Sequence, residues 1–142
     1  MTTETNTGEG PPGGGRSRRE ARERAVELAY EAQLRQVDVD GLLTRLPIAP
    51  DDFTIALLRA AESAREQADK LIDDQASGWT LERMPAIDLL IMRMGVAELL
   101  HFDTPTGVVL AESVDLASRY STEDSGRFVN GVLAALARAL RD

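Results

Sequence analysis

Residues 85–101 leave this chain few ways to fold. Ile87, Leu89, Leu90, Ile91, Met92, Met94, Val96, Leu99 and Leu100 give the segment almost no polar face. A helix that is apolar nearly all round must be enclosed by other elements, so the segment predicts a central core helix. Its methionines read as packing rather than as a cofactor box. Arg93 falls inside it and needs a carboxylate or carbonyl partner once buried. No run of about eighteen apolar residues, the length a spanning helix needs, occurs anywhere in the chain.

The flanking segments are helical too. Ser17, followed by Arg18, Arg19 and Glu20, predicts an N-cap and the start of the first helix. Val26, Ala29, Tyr30, Gln33, Leu34 and Val37 then recur at helical spacing. Gly41 and Pro47 bracket a short helical piece over residues 42–46. Pro50 opens a long helix with Asp51 and Asp52 in its first turn. Phe53, Leu57, Leu58, Ala61, Ala64, Ala68, Leu71 and Ile72 form its apolar side, and Gly78 ends the region. After His101, Asp103-Thr104-Pro105 reads as a stop, a new N-cap and an N1 proline, opening a helix to about Tyr120. Residues 121–125 form a polar break. The last helix runs to about Leu140, with Val129, Val132, Leu133, Leu136 and Leu140 on one side.

No period-two alternation marks a strand, and Asn130-Gly131 lies inside a helical pattern rather than at a turn. The expected fold is all-α, six or seven helices packed as small bundles. Residues 1–15 are polar, rich in Gly, Pro and Thr, and lack the apolar centre of a signal peptide. They are expected to form a disordered N-terminal tail, leaving residues 16–142 as a single all-helical domain in the cytoplasm.

Several chemistries are excluded. The chain has no cysteine and one histidine, His101, so disulfides and thiolate or imidazole metal sites are not expected. Nucleophilic catalysis needs Ser or Cys beside a base, and His101 ends an apolar helix. The paired carboxylates Asp51-Asp52 and Asp73-Asp74 are adjacent in sequence and point apart on a helix. Gly13-Gly14-Gly15 has no strand before it and no Lys-Ser or Lys-Thr after it, so it is not a phosphate loop. No catalytic residue, metal or cofactor is expected.

The net charge of −8 argues, taken alone, against a nucleic-acid binder. Its distribution argues otherwise. Arg16, Arg18, Arg19, Arg22 and Arg24 are opposed locally only by Glu20 and Glu23. They crowd a helix N-terminus, where the dipole prefers anions. A bound polyanion would explain them; the competing reading is a solvated face with Glu20 and Glu23 pairing locally.

Two segments resemble the NusB family of bacterial transcription antitermination factors. One is Arg18-Arg19-Glu20-Ala21-Arg22-Glu23-Arg24-Ala25-Val26-Glu27-Leu28-Ala29-Tyr30, similar to that family's arginine-rich first helix. The other is Ser121-Thr122-Glu123-Asp124-Ser125-Gly126-Arg127-Phe128-Val129-Asn130-Gly131-Val132-Leu133, similar to its acidic-serine turn and the helix that follows. Ile87-Asp88 through Arg93 to Glu98-Leu99-Leu100 resembles the central helix, and residues 109–117, with Glu112, the next one. The likeness runs from about Ser17 to the end and is weak over residues 37–77. Tyr120-Ser121 stands where the family commonly has Phe-Gly, and Ala111 where it often has Asn.

The resemblance implies two small helical bundles and a non-enzymatic, RNA-binding role. Its expected ligand is the boxA element of leader RNA, notably of ribosomal RNA operons. Its expected partners are NusE (a small-subunit ribosomal protein) and, indirectly, other Nus factors and RNA polymerase. Some members of the family dimerise, which leaves a homodimer open. Carried onto this chain, the RNA-binding residues are Arg18, Arg19 and Arg22, extended by Arg16 and Arg24. Tyr30, Tyr120 and Phe128 match aromatic positions near the RNA-facing surface, with core packing as the competing role. Asp124, Ser125 and Arg127 belong to the turn before the last helix, where N-capping is the competing role. Glu82 and Asp88 match the start of the NusE-facing surface, against a solvated helix edge. The arginine-rich helix end and the turn over residues 121–127 are expected to form one RNA surface, and reversing Arg19 and Arg22 to Glu should abolish binding without unfolding the chain. The alternative is a helical protein-interaction module without RNA binding. NusB-like domains also open some ribosomal RNA cytosine methyltransferases, but those need a strand-containing cofactor domain that these residues do not supply. A DNA-reading helix-turn-helix needs a polar recognition helix, and the last two helices are too apolar.

Overall fold

Ser17 starts the first helix through a reciprocal cap. Its Oγ accepts the Glu20 N–H at 3.1 Å, and the Glu20 carboxylate accepts the Ser17 N–H at 3.2 Å. The computed structural model describes residues 17–76 and 78–141. The expected tail over residues 1–15, and Arg16 with it, lies outside them. Among the described residues there are seven α-helices, one 3-10 turn and no strand. They fall into two compact units that divide between Arg59 and Ala60.

The first unit holds α1 (Arg18–Arg35), α2 (Val39–Arg45) and the first turns of α3 (Asp52–Ser63). Gln36 ends α1 in the left-handed region, where its N–H meets the carbonyls of Ala32 and Gln33. α2 starts three residues earlier than its sequence suggests. Asp38 caps it by accepting the Gly41 N–H at 2.8 Å, so Gly41 sits in the first turn instead of preceding the helix. Ala21, Ala25, Leu28, Leu42, Leu57 and Leu58 are buried here. The buried Thr54 hydroxyl donates to the Ala21 carbonyl at 3.0 Å and ties α3 to α1.

The long helix expected after Pro50 is two helices, α3 and α4 (Arg65–Gln75). Ala64 separates them at φ −90° and ψ 3°, the sparsely allowed region between helix and extended backbone. Hydrogen bonds still run from Ala64 N to Ala60 O and from Ala68 N to Ala64 O. Alanine is the best helix former, so nothing local marks this break.

In the second unit, α4 is followed by a 3-10 turn (Leu81–Arg83), α5 (Ala86–His101), α6 (Thr106–Tyr120) and α7 (Ser125–Arg141). α5, α6 and α7 pack against one another, and α4 packs against α5 and α7. Every residue of α5 over 90–99 is buried, as its sequence requires. Arg93 finds its carboxylate in Asp69 of α4, through two parallel bonds of 2.6 and 3.0 Å. Thr104, expected to cap α6, instead gives its hydroxyl to Glu98 at 2.7 Å, and Pro105 takes the cap position. Arg141 reaches back to the Leu99 and Phe102 carbonyls at 2.9 and 2.8 Å, meeting acceptors that the end of α5 leaves open. None of the described helices is long and apolar enough to cross a membrane.

At Gly95 of α5 a Cβ would lie 2.8 Å from the Leu133 Cδ1 of α7. Leu133 is fully buried and has little room to turn away. Gly95→Ala should therefore lower the unfolding free energy by about 1–3 kcal/mol despite the better helix propensity of alanine. Urea denaturation checks this; an unchanged or raised midpoint would mean that the interface relaxes freely.

Candidate nucleic-acid interface

The start of α1 sorts its arginines by what lies beneath them. Arg18 and Arg19, in the first turn, are exposed. The Arg18 guanidinium lies 4.1 Å from the centroid of the buried Phe53 ring. Arg22, one turn on, is only 6% exposed, with its guanidinium 5.1 Å from the same ring. Arg24 is half-buried and pairs with Glu27 at 3.4 Å. Arg18 and Arg22 thus both lie over Phe53, Arg18 exposed and Arg22 buried, and Arg19 is exposed beside them. Reversing Arg22 would put a carboxylate against a buried ring, so the expected Arg19 and Arg22 double reversal would disturb the fold as well as the surface. Tyr30 is exposed, not packed in the core. It follows Arg19 by eleven residues, close to three helical turns, so the two share one face of α1 roughly 16 Å apart.

In the second unit, the 3-10 turn, the start of α5 and the turn before α7 enclose a cleft of about 540 Å³. Asp88, expected at an outward edge of α5, is 2% exposed and lines this cleft. Its Oδ2 accepts the Ser125 hydroxyl at 2.9 Å. Its Oδ1 is buried and meets no donor among the described residues. Ser125 is itself the hub of the turn. Its Oγ accepts the Thr122 N–H at 3.1 Å and lies 3.1 Å from the Ser121 Oγ. The turn is thereby folded around one hydroxyl and fastened to α5, which leaves Asp124 exposed at its rim. Ser125 braces the turn rather than capping its own helix.

Phe128, one turn into α7, is half-buried at the cleft wall. Trp79 lies against it, with ring centroids 6.1 Å apart and planes tilted by 55°. Arg83 and Arg127 also line the cleft; both are exposed, and neither guanidinium has a carboxylate partner among the described residues. Tyr120 is half-buried beside the Arg119 guanidinium, 5.4 Å from its ring. Glu82 is exposed in the 3-10 turn. Sequence reasoning missed Trp79, Arg83 and Thr122. The available signal was the chain's single tryptophan, set in a polar stretch just after Gly78.

The arrangement suits binding. Among the described residues no group of three or more His, Asp or Glu side chains could hold a metal ion. What the cleft offers is aromatic surface and two exposed cations.

The sequence profile of the NusB family matches residues 19–138. The chain is 42% identical over 128 residues to the transcription antitermination protein NusB of Saccharopolyspora erythraea, covering 85% of this chain and 86% of that one. Its fold is similar to NusB of T. maritima, with a TM-score of 0.75 and 29% identity, covering 85% of this chain and 90% of that one. It is also similar to a chain in a crystal structure of antitermination factors NusB and NusE in complex with dsRNA. There the TM-score is 0.71 at 30% identity, covering 86% of this chain and 96% of that one.

Proposed function

Because this chain belongs to the NusB family, we propose that it is a non-enzymatic transcription antitermination factor that binds the boxA element of leader RNA, notably of ribosomal RNA operons, together with NusE. Other Nus factors and RNA polymerase join the same assembly. The observation that carries this reading is the cleft lined by Asp88, where aromatic rings and two cations converge. Single-stranded RNA is held by cations on phosphates and aromatic faces on unstacked bases. Phe128 supplies a face for a base, and Arg83 and Arg127 meet phosphates. Arg18 and Arg19 add cations on α1, and Tyr30 an aromatic on the Arg19 face. Arg22 acts through Phe53 by holding the helix start in place, and Ser125 acts by shaping the turn. Glu82 remains the outward carboxylate available to the protein partner.

The test is a salt series of binding to a short boxA-like RNA and a scrambled control, with and without NusE. A boxA preference strengthened by NusE is expected. A log–log salt slope near roughly −3 would correspond to about four phosphates neutralised on a single strand. Absence of binding to either RNA at any salt would overturn the reading in favour of a protein-only module.

A further inference from the structure

We propose that Trp79 is a second base-stacking platform at the mouth of this cleft, taking the base next to the one on Phe128. The inference rests on the RNA-binding reading above and adds to it a residue outside the two segments that carry the family likeness. Trp79 is 50% exposed, whereas tryptophans are on average highly buried. Its place is fixed by the backbone. Gly78 takes φ +81°, a conformation that side-chain-bearing residues rarely adopt, and the Trp79 N–H returns to the Ala76 carbonyl at 3.1 Å. The indole stands half-exposed in the cleft lining, against Phe128.

The tilt between the rings decides how they are used. At 6.1 Å and 55° the two rings meet in a corner, so no base fits between them as in a sandwich. Each ring keeps one face for a separate base. The guanidiniums of Arg83 and Arg127, each close in sequence to one ring of the aromatic pair and both without carboxylate partners among the described residues, suit the phosphates that join such bases. An exposed tryptophan also suits a protein interface. Two exposed guanidiniums beside two aromatic rings favour a ligand that joins anions to flat faces, which a nucleotide strand does.

Trp79 is the chain's only tryptophan, so its emission reports on this position alone. The experiment follows two signals on the full-length protein: anisotropy of a labelled boxA-like RNA, and tryptophan emission during titration with the same RNA unlabelled. Emission should be quenched in step with binding. Trp79→Ala should weaken binding roughly tenfold, the scale of losing one stacked base, and Trp79→Phe should recover most of it. Circular dichroism and the thermal midpoint of both variants should match the parent, since half of the indole already faces water. RNA binding with unchanged emission and an unaffected Trp79→Ala variant would overturn the stacking role and leave the RNA reading standing. Emission that changes with NusE alone would assign Trp79 to the protein interface and overturn it too. No RNA binding by the parent protein would remove both.

Discussion

Changing Arg18 and Arg19 together to Glu should cost roughly 100-fold in RNA affinity while leaving the protein as stable as before. Each lost charge-assisted contact to a phosphate removes about 1.4 kcal/mol, or tenfold. The salt slope should become shallower by about 1.4, since each phosphate on a single strand contributes roughly 0.7. Stability is preserved because the two positions lie in the first turn of α1. A carboxylate there gains about 0.3–1 kcal/mol from the helix dipole, which offsets the lost contact of about 0.5–1 kcal/mol between Arg18 and Phe53. Arg22→Glu is the contrast. It buries a charge against Phe53 and should lower the thermal midpoint before any effect on RNA can be read. Anisotropy titrations at several salt concentrations, beside thermal melts, check both. If the double reversal bound RNA as the parent does, α1 would not be part of the RNA surface.

The helices were legible where the signal is local. α5 announces itself by an apolar surface on every side, and α1 by the Ser17 and Glu20 cap, because both depend only on residues within a turn or two. The break at Ala64 was invisible because alanine carries no propensity against helix. The candidate site was legible in outline and not in role. Arg18, Ser125 and Phe128 could be picked out as residues, but their roles depend on partners distant in sequence. Asp88 is buried because Ser125, 37 positions later, folds the turn onto it. Arg22 is buried because Phe53, 31 positions later, lies beneath it. Trp79 could be noticed as an aromatic in a polar loop, but only the placement of Phe128 makes it one wall of a cleft.

The largest stability effect should come from the pair that α5 needs in order to carry an arginine at all. Arg93 is one-tenth exposed and Asp69 about one-quarter, so the two ends of the bridge are not equally dependent on each other. Asp69→Ala leaves a guanidinium buried without its partner and should cost about 3–5 kcal/mol, lowering the thermal midpoint by about 10 °C. Arg93→Met keeps most of the volume and leaves Asp69, which can still reach water, so it should cost less. The double change Asp69→Leu/Arg93→Met removes both charges and should return much of the lost stability, since well-packed apolar residues often replace a buried ion pair without loss. Urea denaturation of the three variants gives the order directly. A double variant no more stable than Asp69→Ala alone would mean that the pair contributes through geometry that apolar residues do not reproduce. RNA binding by the double variant then separates the two uses of α5. The helix carries Arg93 in its middle and Asp88 in its first turn. If the ion pair only anchors α4 to α5, the cleft around Asp88 should bind RNA with unchanged affinity once folding is restored. If affinity falls in a folded double variant, the ion pair also sets the position of Asp88.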